Sequence, residues 1–208
     1  MSARWNSSMR WLAATLLLLL AVGAAPVLTQ QMSLHMLVQI PLLLAAGVLA
    51  EQANRHRQAN ADIHVLDNSR WTMNEYGVPG LILVSLAAAT WMIPKALDDA
   101  LVDWRVAALK YIGMPLVGWL LGPSMRRAPT IVKVFFVGNF CWMSAVAGII
   151  YLEQPVRLCN AYLLNDQDWT GRGLIAVAIL IPLGWLASRA RALGARANSC
   201  TNSETLLK

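Results

Sequence analysis

Along most of the chain, long apolar runs without charge alternate with short polar segments. A helix needs about 20 mostly apolar residues to cross the hydrocarbon core of a bilayer. Six stretches predict such helices, at 11–29, 34–50, 78–94, 104–122, 131–152 and 173–187. The second, third and sixth are short, and tilt or local thinning accommodates them. The predicted fold class is all-α: a polytopic transmembrane helix bundle of about six spans, forming one domain over residues 1–190. A polar tail at 191–208, containing Asn198, Ser199, Thr201, Asn202 and Ser203, is predicted to be disordered. The longest polar stretch between runs is 51–77, and its part from Gln52 to Asn68 predicts a short surface helix.

Composition agrees with the pattern. The 208 residues are 57% hydrophobic and 13% charged, with mean hydropathy +0.50, whereas soluble domains run near 45–50% apolar and about 25% charged. Trp11, Trp71, Trp91, Trp104, Trp119, Trp169 and Trp185 fall near predicted span ends, the level preferred by amphipathic rings. The cations cluster at helix ends, so the net charge of +6 reads as a topology signal and not as a nucleic-acid footprint. One side carries Arg4, Arg10, Arg55, Arg57, Arg70, Arg126, Arg127 and Lys133, and the tail adds Arg189, Arg191, Arg196 and Lys208. The other side holds Lys95, Arg105, Arg157 and Arg172 among most of the loop carboxylates. The positive-inside rule then predicts both termini cytoplasmic, and the Ala-, Leu- and Arg-rich composition suggests a bacterial inner membrane. Arg4 and Arg10 before an apolar core also suit a cleavable signal peptide. The run is longer than a signal core, and no clean A-x-A site precedes Pro26, which favours a retained span.

Candidate chemistry is sparse. The chain has no P-loop, no dinucleotide fingerprint and no H-E-x-x-H, nor room for a soluble catalytic domain, so no enzyme activity and no catalytic residue is predicted. Cys141, Cys159 and Cys200 form no C-x-x-C pair. At the start of the second predicted helix, Met32, His35, Met36 and Gln39 recur at i, i+3, i+4 and i+7, on one helical face. Thioethers select Cu(I) and imidazole suits copper, so Met32, His35 and Met36 are the candidate metal ligands; packing methionines and a capping histidine are the plain alternative. Asp98, Asp99 and Asp103 suit the start of a helix. Lys110 lies about a turn and a half beyond Trp104, where a charge either reaches the outer interface or pairs, with Glu153 or Asp166 as candidate partners. Asn139 is expected to bond across helices.

Two segments resemble a known family. His35-Met36 followed by Pro41-Leu42-Leu43-Leu44 and Gly47 resembles the His-Met opening of CtaG-like membrane proteins. Leu164, Asp166, Gln167, Gly171 and Leu174-Ile175 are similar to that family's Asp-Gln-x-x-x-Gly segment. The family pattern has a second His one turn after the first, where this chain has Gln39; Ala176-Val177 stand where Met-Trp tends to follow. The resemblance implies a role in assembling caa-type cytochrome oxidase. A copper-handling factor with a respiratory oxidase subunit as partner is therefore expected, surrounded by membrane lipid, with Gln39, Asp166 and Gln167 as outer-face contacts. The other functions considered are a metal-free accessory subunit of a larger membrane complex and, last, a small transporter.

Overall fold

The computed structural model describes residues 6–60, 72–159 and 161–205, and among them helices and turns are found but no strand. The order is α1 (Ser7–Gly23), α2 (Ala25–Leu28), α3 (Met32–Leu34), a π-helical turn (His35–Gln39), α4 (Ile40–Asn60), a 3-10 turn (Thr72–Gly77), α5 (Val78–Trp91), α6 (Pro94–Val102), α7 (Trp104–Arg127), α8 (Thr130–Glu153) and α9 (Leu164–Thr205).

Among the described residues, four helices are long and apolar enough to cross a membrane: Met32–Gln58, Trp104–Arg127, Thr130–Glu153 and Leu164–Arg191. A bent pair, Val78–Trp91 with Pro94–Val102, turns through 77° and makes a fifth if it is counted as one span. The first predicted stretch is divided instead: α1 ends at Gly23 and Pro26 opens the short α2, because proline fits the first helical turn and not an interior. The tail expected to be disordered continues α9 to Thr205. Ala187, Arg189, Ala190 and Arg191 are strong helix formers that carry the helix past its apolar part. Helix α4 runs on through Asn60, and the rest of the expected surface helix, with His64 and Asp67, lies outside the described residues.

Packing centres on α4, which lies against α1 and α7, while α8 pairs with α9. Glycines set the close approaches. A Cβ on Gly47 would overlap the Pro115 carbonyl of α7, and one on Gly118 would overlap the Leu44 carbonyl of α4. Gly148 and Gly171 meet in the same way between α8 and α9. Small residues let helix backbones touch where apolar burial gives little drive in lipid. About one turn beyond Gly47, Arg126 donates from both guanidinium nitrogens to the buried Glu51, a bidentate pair fixing α4 to α7.

One buried apolar cluster joins Met32, Met36, Leu97, Tyr151, Cys159, Tyr162 and Leu174. A second joins Ala21, Ile40, Leu43, Trp91, Ala100 and Met114. Trp91, expected at the membrane surface, is therefore a core residue.

Candidate functional site: a polar network where two distant segments meet

The π turn at His35–Gln39 follows from Pro41. Proline has no N–H to give to Leu37, four residues back, and its ring crowds that carbonyl. The helix widens, and the Ile40 N–H bonds to the His35 carbonyl five residues back. Such widened turns recur at functional sites. Here the result is that His35 and Gln39 both reach one group on α7. Lys110 Nζ lies 2.9 Å from His35 Nε2 and donates to Gln39 Oε1 at 3.1 Å. All three side chains are fully buried.

The rest of the network follows from the donor inventory. An ammonium has three hydrogens and no acceptor, so His35 Nε2 accepts. Nδ1 then carries the ring hydrogen and donates to Tyr162 Oη at 2.6 Å. Gln39 Nε2 donates to the Ala21 carbonyl at 2.9 Å and to Tyr111 Oη at 3.1 Å. Lys110 also stands 4.5 Å from the Tyr111 ring centroid, an attractive placement for a cation over a π face. Among the described residues no carboxylate pairs with Lys110. The partner expected from Glu153 or Asp166 is replaced by imidazole, amide and aromatic ring.

Asp166 ties the second segment to the first. Its carboxylate accepts from the Met32 N–H, from Ser33 Oγ at 2.9 Å and from the Ser33 N–H at 3.5 Å. That is a helix cap supplied from more than a hundred residues away, favoured by the dipole at the helix start. Gln167 is buried and clamps the connection before α9, accepting from Leu158 N–H and donating to the Tyr151 carbonyl. The two segments that carry the resemblance are thus in contact through Asp166–Ser33 and Tyr162–His35.

Met32, His35, Met36 and Gln39 are all buried, but they divide between two surroundings. Met32 and Met36 pack with Cys159 and Tyr162, while Gln39 turns to α1 and α7. Cys159 was not singled out from the sequence, because a loop cysteine far from the Met32–Met36 pair carries no spacing signal. Burial pushes its thiol up to about 12, and the carboxylates of Asp98 and Asp166 act in the same direction. Burial likewise raises the Tyr162 hydroxyl above its ordinary range, with Cys159, Asp98 and Asp166 adding to the shift. Asp99 pairs with Lys95 at 3.0 Å, and Asp103 caps α7 by accepting the Arg105 N–H. Asn139 donates within its own helix, to Met143 Sδ at 3.3 Å. Among the described residues no group of three His, Cys, Asp or Glu side chains is placed to hold a metal ion, so any soft-metal site here depends on thioethers.

Comparison with known proteins adds no relative: no family model matches the chain, and neither the curated proteins nor the solved structures contain a match.

Proposed function

We propose that the chain is a membrane-spanning copper-handling factor serving assembly of a respiratory oxidase in a bacterial inner membrane. The observation that carries this is the buried cluster holding Met32, Met36 and Cys159 together, with His35 joined to it through Tyr162. Two thioethers, a thiol and an imidazole are the donor types that select Cu(I). Burial is the main reason the Cys159 thiol keeps its proton, and the carboxylates of Asp98 and Asp166 that add to it would also favour an arriving cation. His35 joins the set through Nδ1 by exchanging Tyr162 for the metal; its ring hydrogen then sits on Nε2 and is accepted by a Lys110 amine that has released one proton. The topology proposed is six spans with both termini cytoplasmic. The α1–α2 segment and the bent α5–α6 pair add to the four long helices, and the Lys and Arg distribution supports the orientation.

The test is Cu(I) loading of the purified chain in detergent, for wild type, Met32→Leu/Met36→Leu and Cys159→Ser. Leucine conserves the volume of methionine. Expected are near-stoichiometric copper in wild type and its loss in the variants. Absence of copper from wild type, or equal retention in all three, overturns the metal reading.

One observation favours a metal-free accessory subunit instead: Lys110 sets a fixed cation against both motif positions, His35 and Gln39, and leaves the network fully bonded. That reading expects stoichiometric co-purification with a larger membrane complex, undiminished by Met32→Leu/Met36→Leu.

A further inference from the structure

A cavity of about 740 Å³ opens between the start of the Met32 helix and the first turns of α9. This lies within the usual range for small-molecule sites. Its lining changes character along the two helices. Gln31, Ser33 and Asn165 stand at their beginnings, and Leu37, Gly173 and Ala176 lie about one to three turns further along. Polar at the helix starts and apolar beyond is the profile of an amphiphile with its headgroup at the interface.

Two opposite charges line the same cavity, Asp166 and Arg172. They form no ion pair with each other among the salt bridges of the described residues. Arg172 is exposed and stands 5.5 Å over the Trp169 ring, which leaves its guanidinium hydrogens available. Asp166 is only partly engaged: Oδ1 takes both Ser33 donors and Oδ2 takes Met32 N–H, so a lone pair on Oδ2 remains. A guanidinium matches a phosphodiester, and a carboxylate with a free lone pair matches a primary ammonium.

We propose that this cavity binds a zwitterionic glycerophospholipid with a primary-amine headgroup, phosphate on Arg172, ammonium at Asp166 and acyl chain along Leu37, Gly173 and Ala176. The site rests on the membrane-spanning reading but not on copper. A quaternary ammonium has no N–H for Asp166, so a choline headgroup fits less well, and a glycerol headgroup offers Asp166 a neutral hydroxyl donor without the charge.

The test uses native mass spectrometry of the full chain in detergent with added dioleoyl phosphatidylethanolamine, phosphatidylcholine or phosphatidylglycerol. The ethanolamine lipid should be retained at about tenfold lower concentration than the others, the scale of one charge-assisted hydrogen bond. Arg172→Gln removes the phosphate partner and Ala176→Phe fills the apolar part; both positions are exposed. Each variant should weaken retention of the ethanolamine lipid about tenfold while keeping the wild-type melting temperature. Equal retention of the three lipids, a preference for phosphatidylglycerol, or retention of the ethanolamine lipid unchanged by both substitutions overturns the proposal. Competition by chain-free glycerophosphoethanolamine as effective as the lipid itself would overturn the acyl-chain part. Failure to retain any lipid, with aqueous solubility in the absence of detergent, would instead count against the membrane reading.

Discussion

Lys110 carries three donors into the bundle, and their acceptors lie on the π turn and on the neighbouring Tyr111 ring. Truncating it leaves His35 Nε2 and Gln39 Oε1 buried without partners, a loss of about 1–3 kcal/mol per orphaned group. Lys110→Ala should therefore lower the melting temperature in detergent clearly more than Lys95→Ala, whose partner Asp99 sits at the surface. Equal shifts would mean the network contributes nothing to stability. Cys159 gives a second prediction. Its folded thiol lies at about 12 against 9.0 ordinarily. A raised pKa contributes stability that is full below the ordinary value and lost as pH climbs from there towards the folded value. Maleimide labelling of native Cys159, in a chain with Cys141→Ser and Cys200→Ser, should rise about tenfold per pH unit through pH 10. The denatured chain should level off above its ordinary value. A plateau in the native protein near pH 9 would refute the shift.

At the scale of elements, the crossing of α4 and α7 positions the site. Gly47 and Gly118 let the backbones touch about two turns beyond the π turn, and Glu51–Arg126 closes the crossing about one turn further on. Gly47→Ala or Gly118→Ala forces a Cβ into a carbonyl, and overpacking of this kind costs about 1–3 kcal/mol. Either variant should melt earlier, with a larger shift than Gly138→Ala on α8, where a Cβ meets nothing. The Asp166 cap makes the analogous link between α9 and α3. Asp166→Ala should cost about 0.5–2 kcal/mol, the range for lost caps, measured by thermal unfolding of the purified chain. No change would show that the Met32 and Ser33 donors find another acceptor.

For the whole molecule, the proposed orientation is checked by reporter fusions. Green fluorescent protein after Lys208 should fluoresce, and alkaline phosphatase inserted between Gln154 and Leu163 should be active. The reverse pair would invert the topology. The helices at 104–122 and 131–152 were readable from apolar length, and α7 and α8 cover both. The break at Gly23–Pro26 and the bend before Pro94 carry proline signals in the sequence, but the 77° angle does not follow from them. The site was readable only in part. Met32, His35, Met36 and Asp166 stood out by residue type, and each is in the contact region. That Asp166 caps Met32 and Ser33, that Lys110 meets His35, and that Cys159 joins the methionines are contacts between segments far apart in the chain. Apolar length and the placement of Lys and Arg are summed, local properties, so the sequence alone determined the helical class and a predicted orientation. Side-chain partnership depends on how α3 to α9 cross, which is set by glycine contacts and one widened turn, and only the tertiary structure decided it.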